Sequence, residues 1–227
     1  MTLGLPLATI SAFLLVLARV SGLVAFLPLP ALRSTPTPIR ATLALTLTLA
    51  LFPVWPDLPN TLPTVTQILL WTFSEAGLGL AIGLAVAFLM DGFQLAMQIV
   101  GLQAGYGYAL TIDPSSQSDS NVLQVLLMLT TGWLFFIMGF DREIIRILAA
   151  SFVRFPAGSW APSAASMDGI VRLGGNMLVT GVRLALPVTA ILMLIDLALA
   201  LLGRMQQQLQ LLSLAFPAKM LAALIIL

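Results

Sequence analysis

The sequence contains no cysteine and no histidine, and only 8% of its 227 residues are charged. The absence of thiols excludes disulfides and thiolate metal sites, and the absence of imidazole removes the usual nucleophile, base and proton shuttle. An enzyme would have to work with carboxylates alone, so we expect no catalytic residue, no metal site and no cofactor. The formal net charge is +1. With no Lys/Arg-rich run either, nothing indicates binding to nucleic acid.

Apolar residues, in contrast, dominate the chain. Hydrophobic residues make up 59% of it and the mean hydropathy is +1.05, whereas soluble domains carry roughly 25% charged residues. This composition predicts an all-α integral membrane protein. The stretch 64–112 contains no proline and predicts one very long helix or two stacked ones. Proline-rich connectors and polar stretches separate the other apolar runs, at about 5–27, 39–53, 122–140 and 167–202. Because Pro187 lies inside the last run, we expect a kinked or broken helix there.

The longest polar interruption is Gly101–Asn121, with the sequence GLQAGYGYALTIDPSSQSDSN. Irregular backbone at membrane depth is tolerated only where it is buried in protein or lines a water-filled space. The stretch is therefore either part of a lumen or gate, or a solvated loop between helices. Its glycines give the backbone freedom to turn and its tyrosines give bulk. The residues that we expect to matter most here are Gly105, Tyr106, Gly107, Tyr108, Asp113 and Pro114.

A few charged residues lie inside the apolar runs. Arg19 near the middle of the first run would be costly in lipid, so it should face protein or water. Glu75 must find a donor or take up a proton, and Gly79 and Gly83 follow it at four-residue intervals on the same helix face. A GxxxG spacing lets another helix backbone approach closely. We therefore expect a helix contact beside a buried carboxylate.

The distribution of Lys and Arg does not give a coherent topology. If the connector with Arg33 and Arg40 is cytoplasmic, alternation puts the 142–154 region on the other side, against the positive-inside rule. Several segments are then better interpreted as hairpins wrapped by partner subunits. One alternative stays open, an ion-coupled secondary transporter that uses Glu75 and Asp196 at a broken helix.

The ordered set of these features resembles the flagellar biosynthetic protein FliR family, which supplies an export-gate subunit of type III secretion and is related to the injectisome T-type subunit. The resemblance covers nearly the whole chain, although Gln207–Gln210 and Asp141–Glu143 depart from the usual family pattern and the family continues past Leu227. The matching landmarks are Ala18-Arg19, Gly22, Pro28, Pro38, Arg40, Glu75, Gly79, Gly83, Gln103-x-Gly105, Asp113-Pro114, Leu186-Pro187, Asp196, Gly203-Arg204, Gln208 and Phe216-Pro217-x-Lys219.

The resemblance implies one membrane-embedded helical domain over 1–227, with N-terminal helices at 1–100, a plug-like loop at 101–121 and C-terminal hairpins at 122–227. It implies a subunit of a helical export gate in the bacterial inner membrane, at the flagellar basal body. The subunit would join five copies of one small membrane protein and four of another, a large export-switch membrane protein and unfolded substrates in transit. Tyr106–Ser120 would lie in the pore as a plug. The residues expected to pack helices or to be buried and polar are Arg19, Glu75, Gly79, Gly83, Asp196, Arg204 and Gln208.

Overall fold

The structure, a computed structural model, describes residues 7–27, 36–56, 64–105, 122–205 and 211–226. Within these ranges the chain is all-α and contains no β-strand, which confirms the predicted fold class. The α-helices are α1 (Leu7–Phe26), α2 (Thr37–Ala50), α3 (Val65–Gln103), α4 (Val122–Ile137), α5 (Phe140–Arg154), α6 (Ala164–Met205) and α7 (Leu211–Ile226), with a 3-10 turn at Phe52–Val54 after α2.

Helix α2 packs against α1 and shows how hydroxyl groups are accommodated in an apolar helix. The hydroxyls of Thr42, Thr46 and Thr48 each donate to the carbonyl four residues earlier, at 2.7–2.9 Å. Trp55 then closes the end of α2, since its indole N–H donates to the Thr48 carbonyl at 3.0 Å and its ring contacts Phe13 of α1. Polar groups are thus satisfied locally, as a membrane environment requires.

Helix α3 contains 39 residues and is about 58 Å long, longer than the roughly 30 Å hydrocarbon core of a bilayer. It continues past Gly101 to Gln103, so the polar interruption begins three residues later than the sequence suggested. Gly105 follows with φ of 89°, a left-handed conformation that glycine adopts without a steric penalty. The glycine at which the chain turns away from this helix is therefore Gly105, not Gly101.

Helix α6 contains 42 residues and includes Pro187 without interruption. The helix is therefore not broken at Pro187, and a kink there stays a prediction. A proline removes one backbone hydrogen bond, and membrane helices tolerate that loss where neighbouring groups compensate. The helix begins after Ser163, whose hydroxyl oxygen accepts from the Ser166 N–H at 3.2 Å in the usual N-cap geometry.

The helices pack into two compact units, each made from two separate parts of the chain. Unit 1 comprises Met1–Leu89 and Gly132–Gly174, and unit 2 comprises Met90–Thr131 and Gly175–Leu227. The core of unit 1 includes Leu15, Val16, Val20, Leu23 and Leu148. In unit 2, side chains of α3, of the turn that follows it, of α6 and of α7 form one apolar cluster of Ala96, Val100, Ala104, Ala185, Leu192 and Ala223.

Three of the described helices, α1, α3 and α6, are long and apolar enough to cross a membrane. They differ in how far they are covered by the rest of the chain. In α1, 56% of the most apolar window is buried, whereas in α6 the corresponding share is 11%. Most of α6 is therefore available to lipid or to other proteins.

Candidate functional site

Arg19 and Glu75 form the centre of a polar cluster inside unit 1. The Arg19 Nε lies 2.5 Å from Glu75 Oε2, and the two side chains are 0% and 1% exposed. Arg19 also donates to the Ser151 Oγ at 3.0 Å and to the Phe155 carbonyl at 2.9 Å. We call this set, together with Gly158, the Arg19 cluster.

The second oxygen of Glu75 is satisfied as well. Its Oε1 accepts from the Gly158 backbone N–H at 2.9 Å. The Arg19 guanidinium carbon lies 4.1 Å from the centroid of the Phe152 ring, a cation–π distance. Breaking a buried ion pair is strongly destabilising because it leaves an uncompensated charge, so the hydrogen bonds around this pair matter as much as the pair itself. The cluster joins α1, α3, α5 and the turn that follows α5.

A row of glycines lies beside this cluster where α1 meets α3. A Cβ on Gly79 would collide with the backbone carbonyl of Arg19, and a Cβ on Gly83 would lie 2.6 Å from the carbonyl oxygen of Leu23. On the facing helix, a Cβ on Gly22 would lie 2.5 Å from the carbonyl oxygen of Ala76. The two backbones are therefore in direct contact, the arrangement that small residues at four-residue spacing permit.

The turn after α5 is fixed to α3 by two tryptophans. Gly158 has φ of 75°, and the Trp71 ring occupies the space where its Cβ would be. The Trp160 ring packs on Gly77, and Ser74 donates a hydrogen bond to the Trp160 carbonyl. These contacts hold the Gly158 N–H where it can donate to Glu75.

Unit 2 contains a second, more open polar group. Lys219 Nζ on α7 lies 2.8 Å from Asp196 Oδ1 on α6, and the side chains are 12% and 43% exposed. Gln103, the last residue of α3, donates weakly to Asp196 Oδ2 at 3.4 Å. Asp196 thus links the end of α3 to α7.

The other expected site residues are placed differently. Arg204, expected to pack or to be buried, is exposed in the last turn of α6. A cation is favourable at a helix C-terminus, which accounts for an exposed arginine at this position. Tyr106, Gly107, Tyr108, Asp113, Pro114 and Gln208 lie outside the described residues.

The sequence did not single out Ser151, Phe152 or Gly158. A signal for the first two was present, since Ile144, Leu148, Ser151 and Phe152 lie on the buried face of α5. A serine in an otherwise apolar face indicates a polar neighbour. The Gly158 N–H and the Phe155 carbonyl are main-chain groups, so no residue type in the sequence marks them.

Comparison with known proteins identifies the family. The family described as bacterial export proteins, family 1, matches residues 10–227. The chain is 29% identical over 202 residues to flagellar biosynthetic protein FliR of Escherichia coli (strain K12), which covers 88% of this chain and 77% of that relative. It is 27% identical over 209 residues to FliR of Pectobacterium carotovorum subsp. carotovorum, with coverage of 92% and 79%.

A more distant relative has a different name. The chain is 26% identical over 183 residues to Yop proteins translocation protein T of Yersinia pestis, with coverage of 80% and 70%. The family match extends over nearly the whole sequence and agrees with the resemblance seen in the ordered landmarks. The chain therefore belongs to the FliR family of bacterial export proteins.

Proposed function

We propose that the chain is a subunit of the export gate of a flagellar or type III secretion system, and that it forms part of the protein-conducting channel across the bacterial inner membrane. The observation that carries this proposal is the family match over residues 10–227. The names of the relatives, flagellar biosynthetic protein and translocation protein, support the same process. The proposed role is structural, without covalent catalysis.

The helices support membrane embedding. Three of them reach spanning length, and the charged pair at Arg19 and Glu75 is neutralised inside unit 1. A unit with a satisfied internal pair avoids the cost of at least about 2.5 kcal/mol for a lone Arg at the bilayer centre. By family resemblance, the partners are two other small membrane subunits, in five and four copies, and a large export-switch protein, all at the basal body.

The proposal includes a pore plug formed by Tyr106–Ser120. It is supported by the glycine-terminated end of α3 at Gly105 and by the polar composition up to Val122, where α4 begins. Between the end of the spanning helix α3 and the start of the shorter helix α4, the sequence is too polar for lipid. A plug that has to open should be held in place by weak interactions. Polar contacts meet this need, because each contributes only about 1 kcal/mol.

The geometry does not favour an ion-coupled transporter. Both Glu75 oxygens are occupied, one by Arg19 and one by the Gly158 N–H. Asp196 is paired with Lys219. Neither carboxylate is arranged to take a transported cation without first losing its protein partner.

The function is tested by deleting the gene from its native host and restoring it with a tagged copy. Loss of swimming and of flagellar or other secreted substrate proteins from the culture medium, recovered on complementation, is the expected outcome. Mass spectrometry of the gently solubilised tagged protein should show other membrane subunits of the export system. Normal secretion in the deletion strain would contradict the proposal.

A further inference from the structure

One face of α6 carries a polar stripe in an otherwise apolar surrounding. Asn176, Thr180 and Arg183 follow one another at spacings of four and three residues, which places them on the same side of the helix. All three are exposed. We call them the α6 stripe.

Arg183 is far from either end of this helix. It is the twentieth of the 42 residues of α6, roughly 30 Å from the helix start. Among the residues that the structure describes, it has no ion pair and no hydrogen bond. This distinguishes it from Arg19, which is paired with Glu75, and from Arg172 of the same helix, which is paired with Asp168 at 2.8 Å.

The orientation of the stripe is fixed by the opposite side of α6. Gly181 packs so closely on α3 that a Cβ would lie 2.9 Å from the Gly92 carbonyl oxygen. Ala185 and Leu192 are buried on the same side. Rotating α6 to bury Arg183 would expose this contact, so the described residues supply no counter-ion for this arginine.

The residues beside the α6 stripe fit a contact with another helix better than they fit the wall of a water-filled lumen. Val179, Val182, Leu184 and Leu186 are exposed on both sides of Arg183. Branched aliphatic residues around a narrow polar line are typical of a contact between membrane helices, in which Asn, Thr and Arg hydrogen-bond across the interface. A lumen would need a broader polar face.

We propose that the α6 stripe binds a transmembrane helix of another export subunit, one that carries an Asp or Glu opposite Arg183. A guanidinium pairs with a carboxylate through two parallel hydrogen bonds, which would fix the register of the two helices. Asn176 and Thr180 would supply further hydrogen bonds along the same line. This inference rests on the proposed function.

The first experiment compares two arginines of one helix. Tagged chains with Arg183→Leu or Arg172→Leu are produced in the native host from the chromosomal locus, and membrane subunits recovered per tagged chain are counted by mass spectrometry. We expect Arg183→Leu to lower recovery of one subunit by about tenfold or more, because an unpaired carboxylate is left behind in the membrane. Arg172→Leu should keep recovery within about twofold, because exposed pairs contribute little.

The two hypotheses fail in different ways. If the unsubstituted chain recovers no export subunit and its deletion leaves secretion intact, the proposed function is wrong. If the unsubstituted chain recovers the subunits and Arg183→Leu recovers them equally well from equal amounts of tagged chain in the membrane, only the α6 stripe is wrong.

The second experiment identifies the neighbour directly. A photo-crosslinking amino acid at Thr180 is irradiated in whole cells, and the crosslinked peptide is sequenced. The expected peptide comes from an apolar helix of a different membrane subunit and contains Asp or Glu, and exchanging that acid for Arg should restore recovery in Arg183→Glu. A crosslink to a secreted substrate, to another segment of this chain, or to lipid alone would overturn the proposal.

Discussion

Arg19 on α1 and Glu75 on α3 are 56 residues apart in the sequence and form an ion pair whose side chains are at most 1% exposed. Hydrogen bonds from Arg19 to Ser151 and to the Phe155 carbonyl extend this pair to α5. Two charges that would each be unfavourable in lipid thus form a polar contact that joins two apolar helices, α1 and α3, to the amphipathic helix α5. Apolar packing alone discriminates poorly between helix arrangements in a membrane, since lipid is as apolar as the helices.

The first prediction concerns the balance of charge in the Arg19 cluster. Arg19→Met should destabilise unit 1 by about 3–5 kcal/mol, because Glu75 is left as an unpaired buried charge. The double variant Arg19→Met, Glu75→Met should be more stable than Arg19→Met alone, since it removes both charges. Accumulation of the chain in the membrane and thermal unfolding of the detergent-solubilised complex measure this. A double variant less stable than either single variant would show that the pair is not coupled in this way.

The second prediction tests the close contact of α1 and α3. Gly79→Ala should cost about 1–3 kcal/mol, because the new Cβ meets a backbone carbonyl that cannot move aside as a side chain could. Gly175→Ala on α6 is the matched control, because nothing lies within 4 Å of its Cβ position. There the higher helix propensity of alanine should leave stability unchanged or raise it by up to about 1 kcal/mol. Equal effects of the two substitutions in the same unfolding assay would contradict the contact.

The third prediction ranks the two ion pairs. Asp196 is 43% exposed, so it is less enclosed by protein than Glu75 and has room for another polar partner when Lys219 is removed. Lys219→Met should therefore cost about 0–1 kcal/mol, well below the effect of Arg19→Met. The two variants are compared by thermal unfolding in the same detergent. An equal or larger loss for Lys219→Met would show that Asp196 is more deeply buried in the assembled complex than in the single chain.

Much of the fold follows from the sequence, and the reasons are local. Spanning length and proline spacing are properties of contiguous segments, so α1, α2, α4 and α6 could be placed to within a few residues. The four-residue spacing from Glu75 to Gly79 and Gly83 likewise defines one helix face before any neighbour is known. The structure places α1 against that face.

The partner of each charge could not be predicted in the same way. Arg19 could pair with any distant carboxylate, and its other contacts include a main-chain carbonyl at Phe155, 136 residues away. The end of α3 at Gln103 was also missed, because Gly101 is tolerated inside a helix that is held by packing of Val100 and Ala104 in unit 2. Tertiary contacts determine the partners of Arg19 and the end of α3, and such contacts cannot be derived from a single sequence.

The fourth prediction concerns the proposed plug and the proposal that the chain helps form a gated channel. The complex is purified with the intact chain and with the segment from Gly107 to Ser118 shortened, and single-channel conductance is recorded in a planar bilayer. As a matched control, a chain with Gly175→Ala should behave like the intact one, because that position is open.

We expect the shortened complex to assemble with its partner subunits and to conduct ions at rest, whereas the intact complex stays closed. Cells that carry the shortened chain should also grow more slowly in high salt. Equal conductance of two fully assembled complexes would contradict the plug and, with it, the place of this stretch in the pore.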